Sequence, residues 1–313
     1  MGKGSASQDM DGINEWYASN LHRISRNLEH LRHLRDGILF EQESPINRIF
    51  VIKRDNQIQL YFADKKSKET SKLSGIMSRI DLDTPLTLLG FYASVMMLTL
   101  VWKDHPKSVY VLGFGGGRIP MVFHHYFPSV DIDSTEVDSM IVDISKRYFA
   151  IEKDDRINIY ATDGRDFLTK LSDTKRYDIL LIDAYGGSGT HPYHLSTIEF
   201  YELCKRHVAS NGVLATNLVE DDLLFQEKAA TFVQSFNVVH EFSRNGTHVF
   251  FGSNANEQRI ENLVQKATDI EDRYRFGFPF KDLALDIHMI KNSRIDRSEY
   301  RQFKALHDIP HSL

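Results

Sequence analysis

The chain has 313 residues, 42% of them hydrophobic and 26% charged, with a formal net charge of −5 at pH 7 and a single cysteine, Cys204. A chain of this length buries a sizeable core without cross-links, as one large domain or two small ones. The acidic balance argues against a general nucleic-acid binder, and one cysteine excludes an intramolecular disulfide and a cysteine-based zinc site, so a reducing, cytoplasmic setting is expected.

The first residues, MGKGSASQDMDG, are polar and lack the apolar core of a signal peptide. Residues 13–36 place Ile13, Trp16, Leu21, Ile24, Leu28, Leu31 and Leu34 at helical spacing. The other face is rich in Arg and His, which reads as a surface helix with a solvated face, the alternative being a partner or RNA contact. The runs Arg48–Lys53 and Gln57–Phe62 flank Arg54-Asp55-Asn56 and predict a hairpin, and a third β-type run covers Leu73–Ile80. A helical extension over 1–36 and a small β-rich N-terminal domain over 37–83 follow. Leu86 to Trp102 is uncharged and the most apolar stretch, marginal in length for a bilayer. It reads as a buried helix, capped by Thr84 with Pro85 at its first position, and no membrane span is expected.

From residue 108 strand-like and helix-like runs alternate. Strands are expected at Ser108–Gly113, Asp131–Glu136, Arg156–Ala161, Tyr177–Asp183 and Gly212–Leu218, and helices at Arg118–Phe127, Asp138–Phe149, Gly164–Leu171 and Thr197–Val208. Such alternation means a parallel sheet with helices on both faces. Asn237–Phe242 and Thr247–Gly252, joined at Asn245-Gly246, predict a closing hairpin. The fold class is therefore α/β, a Rossmann-like, methyltransferase-type sheet, mostly parallel with an antiparallel last strand, over 84–253. A last helix is expected over 257–273 within a C-terminal helix and tail, 254–313.

Ligands of open parallel sheets sit past the carboxyl ends of the strands. The first of these strands ends in Leu112-Gly-Phe-Gly-Gly-Gly-Arg-Ile-Pro120, where Gly113, Gly115 and Gly117 allow a tight turn and close approach to a ligand beside a helix N-terminus. The dinucleotide pattern G-x-G-x-x-G would place its last glycine at Arg118, a departure that counts against NAD. Glu136, 23 residues after Gly113, ends the next strand and is placed to accept from both ribose hydroxyls; its alternative role, capping the next helix, suits Asp138 or Ser139 better. Asp163 with Gly164 fits an adenine contact or a helix cap. Asp183 ends an apolar strand and opens a Gly-rich loop, Ala184 to His194, that reads as a mobile lid over the site. Asp183 is the candidate for binding or deprotonating an amine, with Tyr185, His191 and His194 as aids. His191 and His194 lack acidic or Cys partners nearby, so no metal is expected. Glu220, Asp221 and Asp222 fit either an acidic acceptor site or the cap of a following helix.

Together these residues resemble the spermidine synthase (polyamine aminopropyltransferase) superfamily, in particular its spermidine-synthase-like members and the related methyltransferases. The resemblance covers about residues 45–252: Asn47-Arg-Ile-Phe-Val, Ile80-Asp-Leu-Asp-Thr-Pro85, Gly115-Gly-Gly117, Glu136-Val-Asp138, Asp163-Gly164, Ile182-Asp183, Glu199-Phe-Tyr201 and Asn211-Gly-Val-Leu214. It implies S-adenosylmethionine or its decarboxylated form as co-substrate, a small-molecule or polyamine-like acceptor, a small N-terminal β domain and frequent homodimers. Three positions depart from the family pattern. An acid that faces the free amine of the decarboxylated nucleoside is replaced by Arg118. The second acid of the loop that follows Asp183, which helps deprotonate the attacking amine, is replaced by Gly186. Met77 stands where a polar Gln is usual. Three readings remain open: methyl transfer from S-adenosylmethionine, aminopropyl transfer with a rearranged base, and a binding or scaffold protein that has lost turnover.

Overall fold

The computed structural model describes residues 4–63, 73–152, 154–186, 189–253, 260–292 and 298–309. Helix α1 (Gly4–Arg32) leads into β1 (Gly37–Glu43), β2 (Arg48–Arg54), β3 (Gln57–Ala63) and β4 (Leu73–Asp81), which form an antiparallel sheet in the order β1-β2-β3-β4. The expected hairpin is β2–β3, and Asp55 sits in its turn with φ 52°. Strand β1 has no clean alternation in its sequence, and its residues are exposed or half-buried.

The stripe of α1 that packs inward is Asn20, Ile24, Leu28 and Leu31, whereas Leu21 and Leu34 face solvent. The helix is therefore not a surface appendage. Ile24, Leu28 and Leu31 share one apolar cluster with Ile49, Val51, Ile58 and Leu60 of the small sheet and with Ile141, Ile144 and Phe149 further along the chain. The ring nitrogen of Trp16 donates to the His125 carbonyl at 2.9 Å, and the Tyr17 hydroxyl donates to that of Tyr126 at 3.1 Å.

The apolar stretch after Pro85 is buried, as expected, but it is not one helix. It forms α2 (Phe91–Met96) and a 3-10 turn, Met97–Val101, and Gly90 rather than Thr84 precedes the helix. The reason lies at Asp81. Its carboxylate accepts from the amides of Asp83 and Thr84 and from the Thr84 hydroxyl, all through Oδ1. That Asp-centred turn holds residues 81–84 outside helical geometry and occupies the side chain that would have capped. Among the described residues no helix is long and apolar enough to cross a membrane.

The second sheet is built from β5 (Ser108–Leu112), α3 (Arg118–Tyr126), β6 (Asp131–Glu136), α4 (Ser139–Tyr148), β7 (Ile157–Ala161), α5 (Gly164–Lys170), β8 (Tyr177–Ile182), α6 (Ile198–Arg206), β9 (Val208–Val219), α7 (Phe225–Ser235), β10 (Val238–Arg244), β11 (Thr247–Ser253), α8 (Ile260–Tyr274), α9 (Phe280–Ala284) and β12 (Ile287–Lys291). Its order is β12-β10-β11-β9-β8-β5-β6-β7. Strands β5 to β9 are parallel, and β11 runs antiparallel between β9 and β10. Asn245 and Gly246 turn the hairpin with φ of 55° and 73°, the double positive φ of a type I′ turn. The sequence reading gave no range to the helix after Asp222, which is α7, and omitted α9 and the edge strand β12. Successive residues of the central strands pack on opposite faces: Val109, Val111, Ile179 and Leu181 on one, Tyr110, Leu112, Leu180 and Ile182 on the other.

His124 and His125 lie buried in α3 under α1. The Arg156 guanidinium covers the Trp16 ring at 4.5 Å and approaches His124 Nε2 at 2.8 Å. Burial, with Arg156 adding to it at His124, lowers both imidazoles to about 4. The unfolded chain takes up these protons near 6.5, so the stability both rings contribute is present above 6.5 and lost as pH falls through 4. At pH 4.5 the loss should be roughly 2 kcal/mol per ring. Thermal midpoints between pH 7 and 4.5 should fall steeply, and a His124→Asn/His125→Asn variant should flatten the curve. An unchanged slope in that variant would place the acid sensitivity elsewhere.

Candidate functional site

The carboxyl ends of β5, β6, β7 and β8 open onto one cavity of about 230 Å³, walled on its other side by Ile46 and Asn47 of the β1–β2 turn, by Met77 and Ser78 of β4 and by Tyr92 of α2. Of the residues picked out from the sequence, Gly113, Gly115, Arg118, Glu136, Asp163, Gly164, Asp183, Tyr185 and His194 line it. Gly117 and His191 do not.

The turn after β5 explains why glycines stand there. Gly113 has φ 93°, and a Cβ on it would lie well inside 3.0 Å of the Asp183 carbonyl oxygen. This close approach puts the ends of β5 and β8 side by side. Gly115, at φ 51°, is different: an added Cβ would meet only Ser78 Oγ, at 3.8 Å, so the space beside it belongs to the cavity. Gly117 precedes α3 at φ 65° and packs on Phe114 and Ile151, a structural position.

Glu136 ends β6 with Oε2 accepting from the amides of Phe114 and Gly115, at 3.3 and 3.1 Å, and Oε1 accepting from the amide of Asp138 at 3.1 Å. Burial raises its carboxyl above the usual range, and these amides oppose the rise. Asp138 takes the capping role, accepting from Met140 N at 3.1 Å, and the Ser44 hydroxyl of the small sheet's β1–β2 turn donates to its other oxygen. Asp163 caps α5, its Oδ1 accepting from the amides of Arg165 and Asp166 at 2.8 and 3.1 Å, and its Oδ2 pairs with His194 Nε2 at 2.9 Å. Burial raises its carboxyl, but His194 and the two amides outweigh that and hold it below the usual range.

Asp183 is raised to about 7 by burial, although Asn217 and Tyr92 donate to it and oppose the rise. Asn217 Nδ2 reaches its Oδ1 at 3.2 Å. Tyr185 lines the cavity, but its hydroxyl donates to the Asn217 carbonyl at 2.7 Å, so it braces the loop on β9. His191 is buried behind the Tyr185 ring, 5.9 Å between ring centres, with Nδ1 2.9 Å from Ser196 Oγ. Burial, with Lys228 adding to it, lowers the imidazole to about 3, so it stays neutral.

The loop does not form a free lid over the residues described. From His191 onward it is pinned, because Lys228 Nζ donates to the His191 carbonyl and to Asp222 Oδ2, both at 2.6 Å. Residues 187 and 188, at its tip, lie outside the described residues. Asp222 also accepts from Leu224 N at 2.9 Å, so the acid of that group closest to a helix serves the turn before α7.

Arg118 does not face solvent. It is 6% exposed, donates through one terminal nitrogen to the Pro85 carbonyl and through the other to Met121 Sδ, and leaves Nε without a partner. No carboxylate pairs with it among the described residues, and burial lowers its guanidinium to about 9. An arginine is still a cation at neutral pH under those conditions, so the cavity has one buried positive wall. Among the described residues no group of three or more His, Cys, Asp or Glu could hold a metal ion.

Tyr92, Asn217, His194 and Ser78 complete the site and were not assigned a binding role in the sequence, apart from His194 as an aid. Ser78 reaches across from β4, its hydroxyl accepting from Gly116 N at 3.2 Å. The Tyr92 hydroxyl, with one proton to give, stands within reach of both Asp183 and the Met77 carbonyl, the latter at 3.1 Å. Asn217 stands at the carboxyl end of the parallel strand β9, level with Asp183, whereas Tyr92, His194 and Ser78 lie outside the parallel strands, where no strand-tip pattern marks them.

Comparison with known proteins gives a family. The polyamine aminopropyltransferase of Vibrio vulnificus (strain CMCP6) is 27% identical over 208 residues, covering 66% of this chain and 67% of that one. The eEF1A lysine and N-terminal methyltransferase of Bos taurus is 29% identical over 129 residues, 38% of this chain and 18% of that protein. The fold matches the crystal structure of a probable spermidine synthase from Corynebacterium glutamicum ATCC 13032 with a TM-score of 0.67 at 18% identity, over 90% of this chain and 99% of the other. The spermine/spermidine synthase domain matches residues 91–249, more than half of the chain and all of the parallel strands β5 to β9, and the chain belongs to that family.

Proposed function

We propose that the protein is a transferase whose cavity takes S-adenosylmethionine and directs its methyl group to a small acceptor. Transferase chemistry follows the family; the choice of nucleoside rests on Arg118. A buried guanidinium without an acidic partner, at the position where the aminopropyltransferase pattern has an acid, attracts a carboxylate and repels an ammonium. A charge pair at ~4 Å with an effective dielectric near 20 is worth about 4 kcal/mol before desolvation. S-adenosylmethionine carries the carboxylate that its decarboxylated form lacks.

The other residues fit the rest of that molecule. Glu136 at the tip of β6 accepts from the ribose hydroxyls, the open space at Gly115 admits the sugar, and Asp163 with the Gly164 amide meets the adenine edge. When bound, S-adenosylmethionine supplies a methyl group activated on a sulfonium. Asp183 takes the proton that the acceptor's nucleophile loses, and Tyr92 and Asn217 fix its carboxylate for that purpose. Tyr185 and His191 hold the loop rather than move protons.

A second reading, aminopropyl transfer from the decarboxylated nucleoside, is favoured by the elevation of Asp183 to about 7, which suits it to accept a proton from an ammonium. Gly186 then leaves Asp183 as the sole base. Calorimetric titration with both nucleosides separates the two. S-adenosylmethionine should bind at least tenfold more tightly than the decarboxylated form, and Arg118→Gln should erase the preference, with Arg118→Asp reversing it. Preference of the wild-type protein for the decarboxylated nucleoside would establish the second reading, and binding of neither would overturn both.

A further inference from the structure

A second cavity, of about 250 Å³, lies between β4 and the turn that leads into α2. It shares Met77, Ser78, Tyr92, Ala93 and Arg118 with the first, so the two chambers meet at Tyr92, beside the base Asp183. Their charges are opposite in kind. The first chamber carries Glu136, Asp163 and Asp183 beside Arg118, whereas the second is lined by two arginines, Arg79 and the shared Arg118, and by no carboxylate among the described residues. Arg79 donates through one terminal nitrogen to the Leu89 carbonyl, and its charge reaches the Tyr92 phenol. Met77, Leu88 and Leu89 make the rest of the wall apolar.

We propose that this chamber binds the second substrate, an acceptor with an apolar body and an anionic end held by Arg79. The inference rests on the reading that the first chamber takes the nucleoside. With Arg118 committed to the nucleoside carboxylate, Arg79 is the cation left facing the second chamber. A guanidinium offers a carboxylate or a phosphate a planar fork of donors, and the low-dielectric wall strengthens the attraction. A diamine entering the same space would bring the ammonium group at its Arg79 end against a guanidinium, with no carboxylate among the described residues of this chamber to receive it. The end of the acceptor away from Arg79 would then lie at the junction, where Tyr92 and Asp183 meet.

The test uses the full chain, with and without saturating S-adenosylhomocysteine, titrated with hexanoate, hexyl phosphate, 1-hexanol and putrescine. At least one of the two anions should bind tenfold or more tighter than hexanol, the tighter anion naming the headgroup, and putrescine should give no saturable binding. Arg79→Gln should weaken the anion at least tenfold while S-adenosylhomocysteine affinity stays within twofold, and Arg79→Lys should recover part of the loss. Thermal midpoints establish that the variants are folded. Putrescine or hexanol binding as tightly as the anions, or anion affinity unchanged in Arg79→Gln, would overturn the proposal. Anion binding without S-adenosylhomocysteine binding would instead remove the nucleoside reading and leave the cationic chamber standing.

Discussion

Asp183→Asn should make the protein more stable at pH 8 and remove most of its turnover. The carboxyl ionises at 3.8 in the unfolded chain and at about 7 when folded, because burial disfavours its charged form more than Asn217 and Tyr92 favour it. The folded state therefore holds a proton that the unfolded state has released between these values. The stability this gives is complete below 3.8 and is lost as pH rises through 7. Asp183 is half-buried at the cavity wall, and solvent screening of an exposed face takes part of the effect, leaving roughly 3 kcal/mol at pH 8. Asparagine carries no such cost, so the difference in thermal midpoint between the two proteins should open between pH 4 and 8. This trend is opposite to that of His124 and His125, and the comparison of the two proteins at each pH separates them. Equal midpoints at pH 8 would mean that the carboxylate ionises in the folded protein without penalty. Turnover, read as release of S-adenosylhomocysteine in the presence of acceptor, should fall by about 10²-fold or more, the usual contribution of a positioned base. Undiminished turnover in the variant would take Asp183 out of the chemistry. The pair of effects, stability gained and activity lost, is what a group held at an unfavourable ionisation for a reaction should produce.

Gly113→Ala should lose at least about 4 kcal/mol of stability, a size reached only when the backbone itself must move. The added methyl group meets the carbonyl oxygen and carbon of Asp183, which belong to the backbone and cannot rotate away. The positive φ of 93° adds strain that a side chain rarely tolerates. Gly115→Ala is the control. It has the left-handed φ of 51° but open space around its Cβ, so it should cost about 1 kcal/mol and act on the ligand instead. S-adenosylhomocysteine affinity should fall about tenfold in Gly115→Ala, because the methyl group occupies the cavity where the backbone is open. Urea unfolding of both variants and titration of Gly115→Ala read these outcomes. Equal urea midpoints for the two variants would show that the β5–β8 approach yields easily.

The strand tips are legible in the sequence. Val109 to Leu112 and Ile179 to Ile182 are apolar on consecutive positions, which means strands covered on both faces. In a parallel sheet such strands deliver their last residues to one edge, so Gly113, Glu136, Asp163 and Asp183 had to share a site. The Asn245-Gly246 turn was equally plain, because few residues accept two successive positive φ angles. What failed was local and competitive. Thr84 is a good helix cap, but Asp81 bonds its amide and hydroxyl first, and no pattern of spacing ranks two such claims on one backbone. Asp163 caps α5, one of the two roles its sequence offered, and lines the cavity, with His194 as a partner 31 residues away.

The sequence by itself determined the alternating sheet, its polar strand ends, the Gly-rich turn and the exchange of an acid for Arg118, because each depends on residues within one strand and its turn. Only the tertiary structure decided that Arg118 is a buried cation without an acidic partner among the described residues, that burial raises Asp183 against the opposing hydrogen bonds of Tyr92 and Asn217, and that Arg79 lines a second chamber. Burial and partnership depend on which distant segments pack together, and that packing sets the desolvation from which the charges of this site take their strength.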